Sequence, residues 1–116
     1  MPQRDPECLF CRIVSGEVPA AVVHETDRTV AFLDVEPQAP VHILVVPRDH
    51  YQDIGELSTT DRELAGILVK AAGDTATAEG LTDYRLVMNT GSSAGQSVFH
   101  VHAHVLGGRP LTWPPG

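Results

Sequence analysis

The stretch VFHVHAHVL alternates histidine with small or β-branched residues at every second position. In an extended chain, residues two apart face the same way. His100, His102 and His104 therefore share one face, and Val101, Ala103 and Val105 share the other, against a core. Half of the chain's six histidines stand in this one segment. A single histidine there reads as the polar face of a half-buried strand. Three in register, with no Lys, Glu or Thr among them, point to chemistry.

The spacing limits what that chemistry is. Neighbouring same-face side chains sit about 6.6–6.8 Å apart, and the outer pair roughly 13 Å. Zinc–nitrogen bonds are about 2.0–2.1 Å, so an H-x-H pair can share a metal, whereas all three cannot without a bend. The histidines are expected to divide their labour. Neutral imidazole, with a reference pKa near 6.5, is a competent nucleophile at neutral pH. It can attack phosphorus if its second nitrogen gives its proton to an acceptor that fixes the tautomer. A neighbouring histidine two residues on can then donate to a phosphate oxygen. The preceding loop, Gly91-Ser92-Ser93-Ala94-Gly95-Gln96-Ser97, has glycines that let backbone N–H groups approach an anion, and Gln96 and Ser97 add donors. It is no Walker loop, since G-x-x-x-x-G-K-[ST] is missing. Alone it reads equally as a flexible turn; beside the histidines it reads as a phosphate site. It carries no Lys or Arg, so neutral donors have to stabilise any developing charge.

The rest of the chain supplies a frame of modest size. Residues 7–15 form a short helix closed by Gly16. Residues 22–26 and 29–34 form paired strands around Asp27-Arg28, and 41–47 (VHILVVP) a strongly β-branched strand ending at Pro47. From Thr60 to Glu79 the period is helical, with Leu64, Ile67, Leu68, Ala71, Ala72, Thr75 and Ala78 on one face. Thr60-x-x-Glu63 fits a capping box and Gly80 a stop. Residues 84–89 and 99–106 are the last strands, and His24 reads as an exposed strand residue. The sum is an α+β fold, a five-stranded mostly antiparallel sheet with one long and one short helix. Residues 1–116 are expected to form one domain, with 1–6 flexible and 107–116 a tail.

Charge narrows the partners. A formal net charge of −7 disfavours a nucleic acid or an anionic membrane as partner, although one phosphate ester remains within reach of a few local groups. No apolar run approaches the roughly 20 residues of a membrane helix, and the N-terminus lacks a signal-peptide core, so a cytoplasmic protein is expected. Cys8 and Cys11, the only cysteines, are then free thiols or metal ligands rather than a structural disulfide.

Gln96-Ser97-Val98-Phe99 through Val105-Leu106 resembles the signature of the histidine triad (HIT) family, and Phe32-Leu33-Asp34 with Pro37 to Pro47 resembles its other recognisable block. The ending, Gly107-Gly108-Arg109 and Trp113-Pro114-Pro115-Gly116, is similar to the Hint branch. The resemblance implies a two-fold homodimer with one continuous sheet. It also implies a purine nucleoside phosphoramidase and nucleotidyl hydrolase that cleaves the P–N bond of adenosine 5′-phosphoramidates through a nucleotidyl-histidine. No cofactor is needed for that catalysis. On this likeness His102 is the nucleophile, His104 donates to the phosphate, His42 supports from behind, and Ser97 stands near the leaving group. Asn89, Gly95, Gln96, Ser97 and Val98 match phosphate-site positions. Asp34 matches a ribose carboxylate; Leu9, Phe10, Phe32 and Val35 match the base pocket; Trp113 matches a residue reaching the partner's site. Cys8, Cys11, His50 and His100 match a structural zinc set of some bacterial relatives, which would free His100 from the phosphate. Competing expectations are a dinucleoside polyphosphate hydrolase, which the ending disfavours, a nucleotide-binding scaffold with little turnover, and a metal-dependent hydrolase.

Overall fold

The computed structural model describes residues 5–116. Five strands form one antiparallel sheet: β1 (Val22–Glu25), β2 (Thr29–Leu33), β3 (Val41–Pro47), β4 (Tyr84–Val87) and β5 (Ala103–Gly107), in the order β1-β2-β3-β5-β4. The apolar run of β3 occupies the centre because both faces of that strand are covered. Its residues from His42 to Pro47 are all buried.

Alternation divides the sheet into two faces. Ala31, Ile43, Val45, Ala103 and Val105 point to one side and pack with Val101 and the long helix α3 (Arg62–Ala78) through Leu64, Leu68, Ala71, Ala72 and Ala76. Val30, Phe32, Leu44 and Val46 point to the other side and pack with Phe10, Cys8 and Cys11 around the short helix α1 (Leu9–Val14). His42 and His104 stand on this second face, since His104 lies opposite Leu44 in the β3–β5 register. The fold class expected from the sequence is the one observed. α1 ends at Gly16, whose φ of +84° suits glycine and whose N–H reaches the Ile13 carbonyl at 3.0 Å.

Several boundaries differ from expectation. A second short helix, α2 (Ile54–Thr60), precedes α3. Asp53 caps it by accepting from Glu56 N at 2.9 Å, while Glu56 Oε1 accepts from Gln52 N at 2.9 Å. Asp53-x-x-Glu56 is the capping-box signal that identifies this helix. α3 begins after Asp61, not Thr60: Asp61 accepts from Leu64 N at 3.0 Å and also receives the Arg28 guanidinium at 2.9 Å. The buried stripe ends at Ala76, and Ala78 is exposed.

The strand expected over 99–106 is regular only from Ala103, because Val101 N donates out of the sheet to the Tyr51 carbonyl at 2.7 Å. The strand expected over 84–89 stops at Val87, and Gly107 closes β5 rather than opening the tail. His24 is half-buried on β1, with its Nδ1 buried and without a partner among the described residues, where an exposed residue was expected. Of the N-terminal segment expected to be flexible, residues 1–4 lie outside the described residues. Asp5 is tied down, its carbonyl accepting from Cys8 N at 3.0 Å. Among the described residues no helix is long and apolar enough to cross a membrane.

The cap assignment is checked by thermal melting of two variants. Asp61→Ala removes the α3 cap and the Arg28 partner together and is expected to lower the midpoint by several degrees. Thr60→Ala, which removes only the cap expected from sequence, should leave it unchanged.

Candidate functional site

On the α1 side of the sheet a cavity of about 520 Å³ opens beside the histidines. That volume suits a small organic ligand. One end is apolar, walled by Leu9, Phe10, Ile13, Phe32 and Leu44; the other presents Asp34, Ser97, His102 and His104. Val35 and Val98 complete the wall, and Val35 is almost wholly exposed at the rim. Ile13, Leu44 and the segment Val18–Ala21 also line it and were not expected. The parity of Leu44 with Phe32 and His42 is the sequence signal that places it there.

Backbone groups choose the tautomers of His102 and His42, and His42 in turn chooses that of His104. His102 Nδ1 lies 2.7 Å from the His100 carbonyl, which can only accept, so Nδ1 carries the proton and Nε2 keeps its lone pair. Phe10 packs edge-on against the His102 ring at 5.1 Å and fixes its plane. At His42 the logic is reversed. Gln38 N–H donates to His42 Nδ1 at 2.9 Å, so the His42 proton sits on Nε2. That proton faces His104 Nδ1 at 2.9 Å and Asp34 Oδ2 at 3.3 Å. His104 Nδ1 accepts, and the His104 proton is therefore on Nε2. The result is one bare nitrogen on His102 beside one N–H on His104, with the two rings 4.9 Å apart.

Burial holds these rings neutral. It lowers His102 and His42 below the ordinary histidine value, and the nearby Asp34 carboxylate only partly opposes this. His104 is lowered to about 4, by burial first and then by repulsion from His102 and His42. Asp34, His42 and His104 bring three potential ligand atoms together. Hydrogen bonds link the three in a chain, and His42 has no lone pair left for a metal, because the Gln38 N–H occupies its Nδ1 and its own proton sits on Nε2.

A second cluster lies behind His102. His100 is fully buried and its Nε2–H donates to the Pro47 carbonyl at 2.9 Å, leaving Nδ1 as a lone pair. That nitrogen lies 3.4 Å from Cys8 Sγ, 3.5 Å from Cys11 Sγ and 3.2 Å from His50 Nδ1, and Cys11 Sγ lies 3.4 Å from His50 Nδ1. Bonds of 2.0–2.1 Å to nitrogen and 2.3 Å to sulfur in a tetrahedron give edges of about 3.3–3.8 Å. The donor set and its spacing fit zinc. Cys8 and Cys11 form no disulfide.

Not every expected residue meets the cavity. Gln96 is buried and its amide is spent within the protein: Oε1 accepts from Gly91 N at 2.9 Å, and Nε2 donates to the Val98 carbonyl and to the distant Gln52 carbonyl. Its side chain braces the loop instead of offering a donor to a ligand. Asn89 and Gly95 do not line the cavity, although the Asn89 amide packs against Gly95. Gly95 has a φ of +102°, which turns the loop as only glycine does freely. Trp113 is exposed and stands 6.0 Å over the Arg85 guanidinium, away from this chain's own cavity.

The HIT domain family model matches residues 15–111. A crystal structure described as a HIT family hydrolase from Legionella pneumophila superposes with a TM-score of 0.90 at 48% identity, covering 95% of this chain and 100% of that one. An uncharacterised HIT-like protein from Synechocystis is 45% identical over 95% of this chain and 97% of its own length. A 14 kDa zinc-binding protein from Zea mays is 43% identical, over 97% of this chain and 90% of its own.

The neutral state of His104 has a consequence for stability. The unfolded chain protonates this histidine near 6.5, the folded chain only near 4. Between those values the unfolded state binds more protons, so the contribution to stability is complete above pH 6.5 and lost as pH falls toward 4. Urea midpoints measured across that window should fall less steeply for His104→Gln than for the parent protein.

Proposed function

This chain belongs to the HIT family, and from that premise we propose that it is a nucleotidyl hydrolase that cleaves the P–N bond of purine nucleoside 5′-phosphoramidates. The observation that carries the reading is the unprotonated Nε2 of His102 at the wall of a nucleotide-sized cavity, with Nδ1–H held by a main-chain carbonyl at 2.7 Å. The hydrolase description of the Legionella relative agrees with it.

The base occupies the apolar end of the cavity, against the wall that Phe10 and Phe32 form together, and Asp34 accepts from the ribose hydroxyls. His102 Nε2 attacks phosphorus as the P–N bond breaks. The imidazole becomes cationic when its nitrogen bonds to phosphorus, and the His100 carbonyl, already accepting from Nδ1–H, stabilises that charge without moving. His104 Nε2–H donates to a non-bridging oxygen, its tautomer set through His42. The leaving nitrogen gains a proton that the Ser97 hydroxyl passes on from solvent, an amine departs, and the later attack of water returns one proton to solvent. Water then attacks the nucleotidyl-histidine, releasing the nucleoside monophosphate and restoring His102. Among the described residues no cationic side chain lines the phosphate end, so neutral N–H and O–H donors and the transient imidazolium carry the electrostatic work.

Cys8, Cys11, His50 and His100 would hold a structural zinc ion. When bound, it neutralises two thiolates and fixes the His100 ring. His100 then serves twice: its side chain is a ligand, and its carbonyl orients the nucleophile. The assembly is a two-fold dimer joined through a sheet edge, with β4 as the strand that extends it. The Trp113 tail, lying on β4 beside Arg85, reaches the partner's site.

Turnover of an adenosine–lysine phosphoramidate against a dinucleoside triphosphate separates this reading from polyphosphate hydrolysis; preference for the second overturns it. His102→Ala should lower phosphoramidate hydrolysis by at least about a thousandfold while leaving nucleoside monophosphate binding intact. Equal loss of both would remove His102 from its role. For the metal, elemental analysis should find about one zinc per chain, and Cys8→Ser with Cys11→Ser should abolish it and lower the melting temperature. A metal-free parent protein of unchanged stability overturns that assignment.

A further inference from the structure

The Gly107-Gly108-Arg109 segment has no part in the chemistry above, yet it touches the turn of residues 36–40, between β2 and β3, that meets His42. Arg109 Nη2 donates to the Gln38 carbonyl at 2.9 Å, across 71 positions of sequence. The N–H of the same Gln38 is the donor that occupies His42 Nδ1 at 2.9 Å. Gly108 packs against the C-terminal end of this turn: a Cβ there would stand 2.9 Å from Pro40 Cβ, and its φ is +89°. Arg109 thus holds the middle of the 36–40 turn and Gly108 packs against its C-terminal end, and the residue whose carbonyl is held is the one whose N–H chooses the His42 tautomer.

We propose that Arg109 is a positioning residue for the reaction, acting through Gln38 and His42 to keep the proton of His104 on Nε2. This rests on the reading of the site as a phosphoramidate hydrolase, although the proton placement itself does not. The argument follows from proton counting. If the turn shifts and Gln38 N–H withdraws, His42 is free to carry its proton on Nδ1. His42 Nε2 then presents a lone pair to His104 Nδ1, 2.9 Å away. Two facing lone pairs repel, and His104 relieves this by moving its own proton to Nδ1. Its Nε2 is then bare where an N–H is needed to meet a phosphate oxygen. The Arg109 contact is at the surface, so its effect is to hold geometry rather than to supply charge to the site.

The test compares the parent protein with Arg109→Ala and Arg109→Lys, full length. Imidazole ¹⁵N spectra report the tautomers without substrate. Steady-state kinetics on adenosine 5′-phosphoramidate report the consequence. Arg109→Ala is expected to shift His104 toward the Nδ1–H form and to lower kcat roughly tenfold, the scale of one lost charge-assisted hydrogen bond, with KM changed less than about twofold. Arg109→Lys, which can still donate to the Gln38 carbonyl, should regain most of both. A variant that melts earlier while keeping parental imidazole spectra and kcat makes Arg109 merely structural and overturns the proposal. If the parent protein turns over no phosphoramidate, the functional reading fails, while the imidazole spectra still decide the positioning.

Discussion

A neutral imidazole has one proton and one lone pair, and it is useful only when that choice is made in advance. Around this cavity the choice is made by main-chain groups. The His100 carbonyl forces the His102 proton onto Nδ1, the Gln38 N–H forces the His42 proton onto Nε2, and the Pro47 carbonyl forces the His100 proton onto Nε2. Peptide groups have fixed donor and acceptor roles, so no titration can reverse them. The bare nitrogen of His102, the N–H of His104 and the lone pair of His100 toward the cysteines all follow from these contacts.

The two-faced sheet makes this possible. One face is closed by α3 with aliphatic side chains, and that packing provides the cooperative core. It leaves the opposite face free to carry histidines near an opening. Burial there is deep enough to hold the rings neutral, while the cavity still reaches His102 and His104. Phe10 joins the halves of this second face: it meets Phe32 at 5.4 Å, His102 at 5.1 Å and His100 at 6.0 Å. One aromatic ring therefore touches the apolar wall, His102 and the Cys/His cluster. A change at any of these sites has a short path to the others.

The division of labour among the three histidines comes from the departure of residues 99–102 from the sheet. A regular strand spaces same-face side chains evenly and leaves His100 over the same surface as its neighbours. Because Val101 bonds to Tyr51 instead of a strand partner, His100 tucks beneath α1 and meets Cys8, Cys11 and His50. His104 stays in β5, where its register opposite Leu44 makes it the diagonal neighbour of His42.

Much of this was legible from local pattern. Period-two alternation places Val101, Ala103 and Val105 in the core. Helical period finds α3 to within two residues at its start, and the β-branched run of β3 marks the central strand. The resemblance named Leu9, Phe10, Phe32, Asp34, Val35, Ser97 and Val98 of the cavity wall but missed Ile13, Leu44 and the segment Val18–Ala21. What local pattern misplaced shares one cause, a contact distant in sequence. Asp61 outcompetes Thr60 as a cap because it also meets Arg28; Gln96 is taken out of the ligand's reach by the Gln52 carbonyl; β5 starts late because Tyr51 claims Val101. The sequence by itself determined which residue types face which side, since parity along an extended chain needs no partner. Tertiary structure alone decided where each histidine proton resides, because that depends on peptide groups brought in from elsewhere in the chain, and a residue cannot choose its own hydrogen-bond partner.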